Sequence, residues 1–193
     1  MSKGRLEAFS DAVLAIILTI MVLELKVPHG EDLAAITPLV PVLLSYVLSF
    51  LYVGIYWNNH HHLFQAVRTV NGPVLWANLH LLFWLSLIPF VTGWMGENHF
   101  GSLPIALYGV VLFFAGCAYN VLTRALIGCH GKDTRIAEAL GSDFKGKASV
   151  VANVVAIAIA TVQPWVSFGI YVLIALWWLV PDRRFERILS EHA

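Results

Sequence analysis

The chain has 193 residues, 59% of them hydrophobic and 12% charged. A soluble domain carries about 25% charged residues, so this is the composition of an integral membrane protein. Twelve basic residues balance twelve acidic ones, which removes electrostatic support for nucleic-acid binding. The two cysteines, Cys117 in an apolar run and Cys129 in a basic loop, suggest neither a disulfide nor a thiolate metal site.

The N-terminal MSKGR leads straight into apolar sequence with no small-residue cleavage site. That predicts a retained helix and not a signal peptide. The first span covers residues 9–27 and ends at Pro28-His29-Gly30. The second covers 36–60, with Pro38 and Pro41 near its start, where a missing N–H is tolerated. A linker, 61–72, carries Gln65, Arg68 and Asn71. The third span, 73–95, contains Pro89, which predicts a kink. The fourth covers 103–127. A polar loop, 128–147, follows, with a short surface turn expected over 133–140.

The last apolar stretch, 148–180, is too long for one span and short for two, since a span takes about 20 residues. Gln163-Pro164 in its middle predicts a tight turn between two helices, the fifth capped by Asp143 and the sixth running from Trp165 to about Pro181. One long kinked helix is the alternative. Charge decides between them. With six spans, Lys3, Arg5, Arg68, Arg124, Lys132, Arg135, Lys145, Lys147, Arg183, Arg184 and Arg187 share one side, 11 of the 12 Lys and Arg residues. Only Lys26 lies opposite, beside Glu24, Glu31, Asp32 and Glu97. The positive-inside rule then makes both termini cytoplasmic. Trp165, Trp177 and Trp178 fit interfacial belts. Ala152, Ala156 and Ala160, and Gly109 and Gly116, mark small-residue faces for helix packing. The halves of the chain lack the similarity expected of an inverted-repeat transporter. The whole chain reads as one transmembrane domain, 1–193.

The first helix draws attention because Asp11 is costly at the edge of a span. With Ile16 at zero and about 100° per residue, Phe9, Ala12, Ile16, Thr19, Ile20, Leu23 and Val27 form one stripe. Ser10 and Asp11 fall roughly opposite. Asp11 and Ser10 should lie level with His60 and with Asn78, so the four are expected to meet in one hydrogen-bonded cluster. Such a cluster is an anchor for the first helix in its plainer reading and a gate or proton sensor in its sharper one. The His60-His61-His62 run cannot ligate one ion from a regular helix, because successive side chains point about 100° apart. No metal is expected.

Arg5-x-x-x-Phe9-Ser10-Asp11 resembles the signature of the transmembrane protein 175 family of potassium channels. Trp57-x-x-His60-x-x-Leu63-Phe64 is similar to that family's second-helix pattern, and Asn78-Leu79 with Ile88-Pro89-Phe90 to its third. The motif match covers spans one to three; beyond them it rests on span number and length. The resemblance implies an all-α fold of six transmembrane helices and a bacterial type of member with one six-helix unit. It also implies a homotetramer in the cell membrane, with the first helix of each subunit lining a central pore. On this sequence the constriction then maps to Ile16, Ile20 and Leu23, with Thr19 adding a hydroxyl. No carbonyl-filter loop is present, so selectivity for potassium over sodium should be modest and no cofactor beyond the permeant potassium ion is implied. Glu24 stands about 80° off Ile16 and reads first as a solvated interfacial acid.

Three readings compete: a passive potassium channel; a secondary transporter or proton-conducting pore using Asp11, His60 and Asn78; and a haem protein with His60 and His80 as axial ligands. Enzyme chemistry has no candidate, since no nucleophile–base pair or phosphate loop stands out.

Overall fold

Helix α1, Lys3–Leu23, starts at Ser2 and runs 21 residues through uninterrupted helix-compatible sequence. The computed structural model describes residues 2–130 and 144–180, and within them every regular element is helical. The expected surface turn over 133–140, the Asp143 cap, and Lys132, Arg135, Arg183, Arg184 and Arg187 lie outside the described residues.

Two short 3₁₀ turns, Leu33–Ala35 and Thr37–Leu39, precede α2, Val40–Gln65. Asp32 caps the first by accepting from the Ala35 N–H at 3.1 Å. The prolines sit at the two helix starts, as their missing N–H requires. α2 outruns the expected end at His60 by five residues. His61 helps by pairing with Gln65 one turn on (2.8 Å), an i,i+4 contact that favours helix over linker. Asn71 caps α3, Gly72–Ser86, by accepting from the Val74 N–H. The expected kink is a full break. α3 ends at Ser86, Leu87 intervenes, and α4, Ile88–Glu97, carries Pro89 in its first turn, where a proline ring no longer obstructs a preceding carbonyl.

α5, Ser102–His130, is the longest helix among the described residues, at 29 residues. α6, Phe144–Ala160, and α7, Pro164–Leu179, form an antiparallel pair around Gln163. Its register is fixed by three bonds: Lys145 Nζ to the Val180 carbonyl (3.0 Å), Trp178 Nε1 to Ser149 Oγ (2.8 Å) and Ser167 Oγ to the Ala156 carbonyl (2.7 Å). A single kinked helix cannot make these contacts. Segments 3–23, 33–65, 72–97 and 102–130 are each long and apolar enough to cross a membrane. α6 and α7 have 17 and 16 residues, about 25 Å of rise each.

Between apolar helices in lipid there is little hydrophobic drive, so close packing and internal hydrogen bonds hold the bundle. Gly109 on α5 lies directly against the Tyr171 ring of α7 and Ile157 of α6, with no room for a Cβ. Gly96 on α4 leaves α2 close enough that a Cβ there would stand 2.7 Å from the Val42 Cα. Ala156 and Ala160 are fully buried, and Ala152 packs against the same core. A buried polar thread crosses the bundle: Ser49 Oγ meets Thr92 Oγ1 (2.6 Å) and the Tyr108 hydroxyl (3.1 Å), and the Tyr52 hydroxyl donates to the Tyr171 carbonyl (2.7 Å). It ties α2 to α4, α5 and α7.

Candidate functional site

α1 has two unlike walls. Leu6, Ser10, Leu14, Ile17 and Met21 are buried against α2, α3 and α4. These positions recur every three or four residues, the period of one helix face. The opposite stripe is bare in the single chain: Ile16 is 56% exposed, Ile20 43% and Leu23 79%. Phe9, Ala12, Thr19 and Val27 are exposed with them. The Thr19 hydroxyl donates to the Ile16 carbonyl at 2.9 Å. Its proton is therefore spent within the helix, and its oxygen lone pairs remain to accept.

The N-terminal end of α1 is held by a chain of three side chains. His60 Nε2 donates to Asn78 Oδ1 (2.9 Å), Asn78 Nδ2 to Ser10 Oγ (2.9 Å), and Ser10 Oγ to the Leu6 carbonyl (2.9 Å). With the amide in that orientation, His60 must carry its proton on Nε2. All three side chains are buried. In a low-dielectric bundle a fully matched chain like this fixes one helix orientation, because any slip leaves a buried polar group unpaired.

Asp11 departs from expectation. It lies on an exposed flank of α1, outside this chain, and accepts from Trp57 Nε1 at 3.1 Å. The reason is angular: Asp11 follows Ser10 by about 100°, which carries it off the buried wall. Trp57 in turn stacks on His61 (centroids 6.1 Å). Asp11 and His60 thus serve two separate threads, one at the protein surface and one buried. Phe9 is likewise half out of the bundle, and Arg5 is exposed. Of the Phe-Ser-Asp triplet, only Ser10 is interior. The histidine run is split the same way, with His60 bound to Asn78 and His61 to Gln65. Among the described residues no three metal-ligating side chains converge. His80 accepts from Trp84 Nε1 on its own helix (3.0 Å), an engagement apart from the His60 chain.

At the other end of α1, Lys26 reaches Glu97 at the end of α4 (2.7 Å). The bonded, negatively charged Glu97 raises the Lys26 pKa above its ordinary value, and Glu24 adds to the effect. Glu24 lies near Gly93 of α4 and lines shallow hollows with Lys26 and Glu97. The thread of Ser49, Thr92, Tyr108 and Tyr52 escaped the sequence reading. Its only signal was hydroxyls scattered through apolar helices.

The family model described as endosomal/lysosomal potassium channel TMEM175 matches residues 5–89, which take in nearly all of α1, then α2, α3 and the start of α4. A potassium channel of Chryseobacterium sp. (strain P1-3) is 54% identical over 192 residues, covering 100% of both chains. An endosomal/lysosomal proton channel TMEM175 of Danio rerio is 30% identical over 138 residues, 67% of this chain and 25% of that one. Among solved structures, the crystal structure of a lysosomal potassium-selective channel TMEM175 homolog from Chamaesiphon minutus matches with a TM-score of 0.80 at 25% identity, over 92% of this chain and 96% of that one.

Proposed function

From the premise that this chain belongs to the TMEM175 family of channels, we propose that it is a passive potassium channel. Its constriction consists of side-chain rings on α1. The observation that carries this reading is the bare stripe of Ile16, Thr19, Ile20 and Leu23 on a helix whose opposite wall is fully engaged. A single chain gives that stripe nothing to enclose. Four copies about a common axis turn it into stacked rings of isoleucine, threonine, isoleucine and leucine, with roughly 6 Å of rise from Ile16 to Ile20 and about 4.5 Å from Ile20 to Leu23.

An aliphatic ring gives a cation no ligand, so the ion must lose water there. Potassium holds its hydration shell less tightly than sodium and crosses at lower cost. The outward lone pairs of Thr19 replace part of that water. Selectivity follows from this difference alone and is modest, since no carbonyl cage enforces a geometry. In this arrangement the chain is one channel unit in a bacterial cell membrane. Both termini are cytoplasmic, on the side where Lys3, Arg5, Arg68, Lys145 and Lys147 gather.

The experiment is a bilayer recording under potassium and sodium bi-ionic conditions. Wild type should show a reversal potential that favours potassium. Ile16→Asn should wet the ring and move that potential toward zero. An unmoved potential rejects Ile16 as part of the filter.

A second reading has one observation in its favour: the continuous chain from His60 through Asn78 to Ser10 has the form of a proton relay. It terminates at a backbone carbonyl, however, and Asp11, the one acid expected to feed it, is bonded elsewhere. A pH gradient imposed without potassium separates the two readings. Proton current that disappears in Asn78→Leu would favour the relay.

A further inference from the structure

Away from α1, a cavity of about 60 Å³ lies between α2, α5, α6 and α7. Its rim includes Asn59 and Gly146, both half exposed. Its inner part includes Asn153, which lies about 10 Å deeper than Gly146 along α6. Among the described residues, none that lines it is charged. Ile55, Val150 and Ile174 supply apolar walls.

Much of the donor capacity of this lining is already used. The Asn153 amide donates back to the Ser149 carbonyl (3.0 Å), and the Asn120 amide to the Gly116 carbonyl (3.1 Å). The Tyr119 hydroxyl donates to the Asn59 carbonyl, Trp178 Nε1 to Ser149 Oγ and the Tyr52 hydroxyl to the Tyr171 carbonyl. Those five groups are committed within the protein. On the acceptor side, Asn153 is only 6% exposed, and its Oδ1 has no hydrogen-bond partner among the described residues. A buried amide oxygen at that depth is costly to leave unmatched. The Tyr56 hydroxyl, on the same lining, can either give or accept.

We propose that this cavity is a binding site for the hydroxyl end of a small neutral amphiphile. The hydroxyl donates to Asn153 Oδ1 and the alkyl body lies against Ile55, Val150 and Ile174. A charged ligand is disfavoured, since the lining offers no counter-ion. A purely apolar ligand leaves Asn153 unmatched. The site is separate from the α1 stripe and does not depend on what passes along it.

The test is photolabelling of the full-length protein in nanodiscs with 3-azioctanol, followed by peptide mapping. Label should concentrate on the cavity walls near Tyr56, Asn120 and Val150, and unlabelled octanol should compete it away while octane does not. Asn153→Leu should lower labelling about fivefold, the effect of one neutral hydrogen bond. The wild-type competition arm decides the matter by itself if that variant fails to fold. Label spread evenly over lipid-facing helices, equal competition by octane, or undiminished labelling of a folded Asn153→Leu protein would overturn the proposal.

Discussion

Helices α1 and α5 are similarly apolar, yet they are used in opposite ways. α5 is packed along much of its surface: Tyr108, Gly109, Leu112, Ala115, Ala118 and Leu122 are buried at successive turns. α1 packs one wall and leaves the other uncovered. Hydrophobicity alone therefore says that a segment belongs in the membrane, not what it faces there. What separates the two helices is the small and polar residues. α5 carries glycine and alanine where neighbours close in. α1 carries a single buried serine that fixes which side turns inward.

The strongest way to break this comparison is to disturb α5. Gly109→Leu drives a side chain into Tyr171 and Ile157 and should cost about 3 kcal/mol or more. Thermal unfolding in detergent should drop steeply, and the folded yield with it. A variant of wild-type stability would mean that α5 and α7 do not meet as described. Next comes the anchor of α1. Asn78→Leu strands the His60 N–H and loses the donor to Ser10, at an expected cost of about 1–3 kcal/mol. A double-mutant cycle with Ser10→Ala should show clear coupling, whereas one pairing Asn78→Leu with Asp11→Asn should be near additive. Strong coupling to Asp11 would rejoin the two threads.

On the bare stripe, Ile16→Ala should change subunit stability by at most about 0.5 kcal/mol while altering ion discrimination in the bi-ionic recording. A large loss of stability with unchanged selectivity would make that wall a packing surface. The smallest effect belongs to Lys26→Met. Its partner raises the Lys26 pKa, so the pair stabilises the fold below the unfolded value and that contribution fades only as pH rises past it. Near neutral pH the variant should leave the unfolding midpoint almost unchanged, in both low and high salt.

The helical periods were legible in the sequence. So were the stripe on α1, the turn at Gln163-Pro164 and the joining of Ser10, Asn78 and His60. What escaped it has a common cause. Asp11 reads as inward only if it shares a side with Ser10, whereas one step of about 100° separates a buried position from a flank. The extension of α2 through His61 to Gln65 depended on a side-chain pair that composition does not weigh. The thread from Ser49 to Tyr108 runs between three helices, and only their final arrangement brings those hydroxyls together.

The break at Leu87 has a mechanical consequence. Asn78, which holds the N-terminal end of α1, belongs to α3; α4, beyond the break, packs against α1 separately. Those grips sit on two rigid levers with a joint between them, not on one strut. A tilt imposed on α3 need not be transmitted to α4. α1 then behaves as a rod clamped by independent hands, and Ile16 and Thr19, between the clamps, are where a difference between the two would be felt.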